Sequence, residues 1–216
     1  MTPAQIKASI RAQAYETSAA FWSDEEIYAY MWQAECEVAA LVECTETTDS
    51  TTTTVSGTVE YAKPTDCLII KRLTWDSVKL KKITLSDLDA MDGTGYGGTV
   101  STGNPEFYYE HGANVGLYPT PTSAKTLKFW HIKQPTELTA ASTTFTVPQL
   151  FQHYIPDYCL YRMYLKDQDD RANTHLKLWD ENIGKAISKW KHSQHRDQYS
   201  VVRCEENNQV TSIGIV

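Results

Sequence analysis

Residues 104–138 read NPEFYYEHGANVGLYPTPTSAKTLKFWHIKQPTEL, and this stretch decides the fold class. Phe107, Tyr108 and Tyr109 lead into Glu110-His111-Gly112-Ala113-Asn114, which has turn composition. Val115, Leu117 and Tyr118 follow, and Pro119 and Pro121 stop the run. A second run, Thr126 to Lys133, alternates larger apolar and polar side chains imperfectly until Gln134-Pro135. Short aromatic and β-branched runs bounded by Gly, Pro and Asn predict antiparallel strands.

Working outward, both flanks read as helix. On the N-terminal side Thr2 can cap and Pro3 suits the first helical position, which predicts a short helix to Tyr15 with Ile6 and Ile10 on one face. Ser23 with Glu26 three residues on is a capping box, and Trp22 can staple onto Ile27. Ile27, Met31, Ala34, Val38 and Leu41 then form one apolar stripe. On the C-terminal side Ile155, Cys159 and Met163 keep the i,i+4 spacing, while Pro156 predicts a short turn before a main helix from Asp157. After a weak point at Asp167–Asp170, Leu176, Trp179, Ile183, Ile187 and Trp190 form a second strong stripe. Its other face carries Lys177, Lys185, Lys189 and Lys191, suited to acidic helices within the subunit or across a subunit boundary.

Between the flanks, the threonine-rich run Thr47–Thr54 reads as linker or strand. Leu68 to Ile83 predicts a hairpin turning at Asp76-Ser77, Leu85–Met91 a brief helical turn, Asp92–Gly103 a glycine-rich loop and Thr144–Val147 a last short strand. Residues 192–216 are polar with two small apolar islands and read as an arm that orders on a partner. The expected fold is therefore α+β. N- and C-terminal helices (1–48 and 148–191) form a bundle around an inserted antiparallel β-rich region (49–147), and 192–216 form an extended C-terminal arm.

A chain of 216 residues suits one domain, or one domain with an insertion. The net charge of −7 argues against broad, sequence-independent nucleic-acid binding, which needs a basic face. The acidity is uneven: residues 1–48 hold eight acidic and two basic side chains, which marks a candidate face for a basic partner. The five cysteines, Cys36, Cys44, Cys67, Cys159 and Cys204, are widely spaced and include no Cys-x-x-Cys, a pattern that fits a reducing compartment. The N-terminus lacks the apolar core of a signal peptide, and no apolar run approaches the roughly 18 residues of a membrane span, so no membrane association is expected.

No catalytic motif stands out. His111 sits in the expected turn and His131 in a strand, where it can pair with a carboxylate. His153, Cys159 and His175 match no zinc spacing, and His192, His195 and Cys204 lie in the polar tail without the usual turn. The calcium-loop test on Asp167, Asp169 and Asp170 fails, since Ala172 stands where glycine is required and Leu178 where glutamate is. Gly95-Tyr96-Gly97-Gly98 lacks the Lys-Ser/Thr of a phosphate loop. The expectation is a non-enzyme with no metal and no cofactor. Tyr108, Tyr109, Tyr118 and Trp130 are candidates for a partner surface, with burial between sheet and helices as the competing reading.

Four segments carry a resemblance. These are TPAQIKASIRAQAYETSAAFWSDEEIYAYMWQAECEVA from Thr2, LKKITLSDLDAMD from Leu80, the 104–138 stretch, and FTVPQLFQHYIPDYCLYRMYLKDQDD from Phe145. In this order they resemble the head–tail connector (adaptor) proteins of tailed bacteriophages, virion neck structural proteins. The resemblance implies a ring of about twelve copies beneath the portal, assembled in the host cytoplasm and carried in the virion. Such a ring extends the channel through which DNA passes without specific binding. It faces the portal protein on one side and a tail, nozzle or stopper protein on the other. C-terminal segments of similar adaptors dock on the portal, which points here to Tyr199, Val201, Val202, Ile213, Ile215 and Val216. The alternatives are a stopper or other neck or tail component, or a glycan or host-surface binding module using the aromatic sheet.

Overall fold

The computed structural model describes residues 1–16, 18–19, 21–92 and 101–213, and the side chains of all of these except 92 and 194–213. Helices and mostly antiparallel sheets together make the fold α+β. Residues up to Val38 and from Thr136 onward form one compact unit, and Ala39–Pro135 form the other.

The helical unit begins with α1 (Pro3–Gln13). Thr2 caps it, and Gln5 returns the bond to the Thr2 backbone, so two orphan N–H groups are satisfied reciprocally. The next helix, α2 (Asp24–Val42), starts the same way: the Ser23 hydroxyl accepts from Glu26 N–H, and the Glu26 carboxylate accepts from Ser23 N–H. Three acids in its first turn suit the positive end of the helix dipole. The C-terminal part holds α4 (Gln149–Gln152), α5 (Ile155–Lys166) and α6 (Arg171–Ile213). Pro156 sits in the first turn of α5, where its missing N–H costs nothing, so the expected short turn before the main helix is present. The core of this unit is fully buried Ile6, Ile10, Ile27, Met31, Phe151 and Met163.

In this unit two local expectations differ from the structure. Residues 144–147 form no strand; the backbone N–H groups of Thr146 and Val147 donate to the Glu35 side chain instead of a strand ladder. Residues 192–213, expected as an extended arm, continue helix α6. The physical reason is the absence of breakers: no Pro or Gly occurs between Lys185 and Ser212, and the first glycine comes at Gly214.

The sheet unit contains two four-stranded sheets. The first has the order β1-β10-β3-β4 and uses β1 (Glu46–Thr53), β3 (Cys67–Trp75), β4 (Val78–Lys79) and β10 (Thr126–Lys133). The second has the order β2-β8-β7-β5, with β2 (Glu60–Ala62), β5 (Lys81–Lys82), β7 (Phe107–His111) and β8 (Asn114–Tyr118). A two-stranded pair, β6 (Thr102–Gly103) with β9 (Thr120–Pro121), runs parallel. The threonine-rich run is thus strand, not linker. It lies at a sheet edge, and its ladder slips between Asp49 and Thr52, where the Asp49 carboxylate accepts from Thr51 N–H.

Both hairpin turns follow from their residues. Asp76 and Ser77 both take positive φ, the I′ signature, and His111↔Asn114 closes around Gly112 at φ +56°, which fits a II′ turn. The expected hairpin over 68–83 holds only through Lys79. At Leu80, 2% exposed, the chain leaves the first sheet, and Lys81-Lys82 pair in parallel with Phe107-Tyr108 of the second. Ile70, Leu73, Trp75, Leu127 and Phe129 of the first sheet meet Tyr61, Tyr108, Val115 and Leu117 of the second in one core. A third helix, α3 (Leu85–Asp92), contributes Leu85 and Leu88 to a second cluster with Ile83, Tyr109, Phe107 and Tyr118. Much of the expected glycine-rich loop, 93–100, lies outside the described residues.

Candidate functional site

The four aromatics expected on a partner surface do not gather. Tyr108 is 3% and Tyr109 2% exposed, so both are buried, but only Tyr109 packs against a helix, α3, while Tyr108 lies in the core between the two sheets. Tyr109 lies so close over its cross-strand partner that a Cβ at Gly116 would stand 2.0 Å from its Cζ. Tyr118 is half-buried on β8, in the second sheet. Trp130 alone is open, 39% exposed, on the central strand of the first sheet. The Arg72 guanidinium lies 5.8 Å and the Lys128 ammonium 4.5 Å from its ring centroid, so the indole sits between two cations.

Of the six residues assigned to a terminal docking segment, Tyr199, Val201, Val202 and Ile213 fall on the helical backbone of α6. Ile215 and Val216 lie outside the described residues.

The acidic N-terminal segment is more occupied than its charge count suggests. Asp24 accepts from Lys7 and Arg11, and these bonds hold its carboxyl below the usual aspartate range. Arg11 is 6% exposed and also donates to the carbonyls of Ser18 and Trp22, which fixes the corner between α1 and α2. Glu26 is paired with Lys166, Glu37 accepts from the Tyr158 hydroxyl, Glu43 pairs with Lys71, and Glu16 accepts from Phe21 N–H. What remains outward is mainly Glu25 and Glu46, too little for a broad anionic face.

Glu35 is the buried acid. It is 0% exposed on α2, and its Oε1 accepts from Thr146 N–H at 2.6 Å and Val147 N–H at 3.0 Å. Its Oε2 has no hydrogen-bond partner among the described residues. Burial pushes its pKa up to about 7, against the opposing pull of the two backbone donors. One acid thus ties α2 to the segment leading into α4. Sequence reading missed it because its partners are 111 and 112 residues away.

Three of the six histidines lie beside a carboxylate. His131, 2% exposed, lies with Nε2 3.3 Å from Asp66 Oδ1, the carboxylate pairing expected of it. His111 Nδ1 is 3.2 Å from Glu60, and His175 Nδ1 is 3.5 Å from Asp157. Cys159 is fully buried, which raises its thiol pKa. Among the described residues no three His, Cys, Asp or Glu side chains are placed to hold a metal ion, and no helix is long and apolar enough to cross a membrane.

A second feature escaped the sequence reading, although its signal was present. Five of the twelve residues 71–82 are basic, in a chain of net charge −7. They line a groove on the sheet unit.

No curated protein matches the chain. A family model does, that of the SU10 adaptor protein, and it spans residues 1–204. On this match over nearly the whole length, the chain belongs to the phage head–tail adaptor family and is a virion structural protein.

Proposed function

We propose that this adaptor is one subunit of a closed ring between portal and tail, which extends the DNA channel. The family match over residues 1–204 carries the reading. A ring of about twelve copies satisfies each subunit's side-to-side contact with its neighbour. The C-terminal segment supplies a second contact, to the portal, so that many weak sites act together. Tyr199, Val201, Val202, Ile213, Ile215 and Val216 are the docking residues in this proposal. At 3.6 residues per turn, positions 199, 202 and 213 fall on one stripe of α6, which makes these three the first to test. Of the four aromatics proposed as a partner surface, Trp130 and Tyr118 are the ones not fully buried.

Co-sedimentation with the portal ring of the same virus, followed by particle imaging, tests the ring. A stacked ring on one end of the portal supports it and counts the copies. Absence of binding at high concentration moves the assignment to a stopper or tail component. Deleting 192–216 is expected to leave a folded protein that no longer joins the portal. The truncation keeps Trp179, Ile183 and Ala186 in the helical core and the edge contact of Trp190 on Phe151. Unchanged portal binding by the truncated chain refutes the docking assignment.

A further inference from the structure

The groove on the sheet unit has a volume of about 450 Å³ and is lined by Lys71, Arg72, Lys79, Lys81, Lys82 and Tyr108, with no acid among its lining residues. Three backbone events bring these cations together. The ladder between β10 and β3 shifts where Trp130 faces Arg72 and His131 faces Ile70, so Lys71 is the extra residue and both it and Arg72 are exposed. The I′ turn at Asp76-Ser77 brings Lys79 back opposite Thr74. The change of sheet at Leu80 then places Lys81 and Lys82 on the adjoining edge.

Two of the five cations are committed: Lys71 pairs with Glu43, and Lys82 pairs with Glu110. Arg72, Lys79 and Lys81 form no ion pair with an acid of the described residues, and all three are exposed. Like charges held together in this way repel, and the repulsion is relieved when a polyanion takes up the site. Arg72 also leads on to Trp130 and Lys128, so the basic track continues past an open indole. Cations beside an exposed aromatic ring suit a nucleic-acid backbone, where the cations take phosphates and the ring packs on the intervening sugar. A second copy's acidic N-terminal face fits less well, because six of its eight acids are already engaged within the chain or buried.

We infer that this groove and the adjoining Arg72–Trp130–Lys128 stack bind the phosphate backbone of nucleic acid without reading its sequence. The contact is local, so it is compatible with an acidic chain that lacks a broad basic face. It does not depend on ring formation or on the portal contact.

The test uses the full-length protein and a labelled mixed-sequence DNA duplex of about 30 base pairs, titrated at several salt concentrations. Arg72, Lys79, Lys81 and Lys128 together predict a slope of log K against log salt of about −3.6. The triple variant Arg72→Gln/Lys79→Gln/Lys81→Gln is expected to bind at least about tenfold more weakly at low salt and to lose most of that slope. The charge-matched control Lys177→Gln/Lys185→Gln/Lys189→Gln, on exposed positions of α6, is expected to keep both. Circular dichroism confirms that each variant is folded, and Arg72→Lys alone, which keeps the charge, is expected to retain most binding. Absence of duplex binding by the unaltered protein overturns the inference, as does equal loss in both triple variants. Poly-glutamate that competes as well as DNA of equal charge also overturns it, and reassigns the groove to an acidic protein.

Discussion

At the α1–α2 corner of the helical unit the charges close on one another. Arg11 reaches Asp24 and two carbonyls, Lys7 reaches the same aspartate, and Lys166 answers Glu26. At the β3–β5 corner of the sheet unit the chain also changes direction, yet Arg72, Lys79 and Lys81 are left exposed, with no ion pair to an acid among the described residues. The first corner is fixed in part by its polar bonds, whereas the second is held by backbone pairing and the buried Leu80. In the first the polar groups are part of the fold; in the second they are free of it and available to a partner. Removing polar groups should therefore damage the helical unit and leave the sheet unit standing.

The sharpest expected effect is at Glu35. Glu35→Ala strips the acceptor from two backbone N–H groups and opens a cavity beside them, at a cost of about 3–5 kcal/mol when measured near pH 4.5, where the buried acid is neutral and carries no ionisation penalty. The fall should appear as a lower urea midpoint for the loss of the far-UV helical signal. A change below about 1 kcal/mol would mean that residues 146–147 find other partners and that the contrast is misdrawn.

Titration gives the same residue a second signature. Below about pH 4.5 the carboxyl is protonated in both folded and unfolded chains, and burial carries no penalty. As pH rises toward about 7 only the unfolded chain releases its proton, so Glu35 lowers stability through that window, by about 3 kcal/mol at its end. Asp24 and Glu26 act in the opposite sense: their pKa values are lowered, so their contribution is present above the ordinary carboxylate range and lost as pH falls below it. Glu35→Gln keeps an acceptor for the two N–H groups and cannot ionise. It should flatten the decline between pH 5 and about 7 and leave the acid limb unchanged. A decline that persists in this variant would assign it to other groups.

Apolar packing, by contrast, should matter in both units. Gly116→Ala places a methyl inside the Tyr109 ring, which is 2% exposed, so the ring must move or the β7–β8 pairing must open. Overpacking of this kind costs about 1–3 kcal/mol. Near-UV ellipticity follows the aromatic core through a urea titration, and an unchanged midpoint would show that the ring has room to swing aside.

What could be read from residues alone follows the same division. Local signals worked: the Ser23/Glu26 capping box, the turn residues Asp76-Ser77 and Gly112, and the proline that delays α5 all act within a few positions. Features that depend on distant partners did not show. Thr144–Val147 has strand composition, but a glutamate on α2 takes its N–H groups. The residues of β5 look like the end of a hairpin, yet they pair with β7, which lies beyond α3 and the glycine-rich stretch. Tyr108 and Tyr109 are adjacent, so strand alternation should expose one; both are buried because core clusters lie on the two faces of the second sheet. The tail at 192–213 is polar with sparse apolar residues, which suggests an extended arm, although nothing in it stops a helix already under way.

The smallest expected effect tests the other side of the comparison. Lys79 lies on a two-residue strand, is exposed and has no ion pair with a described acid, so Lys79→Gln removes charge and little else. Its stability should stay within about 0.5 kcal/mol of the parent, and relief of repulsion from Lys81 and Lys82 tilts the sign toward slight stabilisation at low salt. Added salt should erase that gain, because screening relieves the same repulsion in the parent chain. Arg72→Gln differs by its lost stacking on Trp130, which at an exposed site is worth about 0.5–1 kcal/mol. Urea midpoints at low and high salt separate these contributions. If Lys79→Gln instead destabilised the chain as Glu35→Ala does, the groove cations would belong to the fold. The two corners would then be alike.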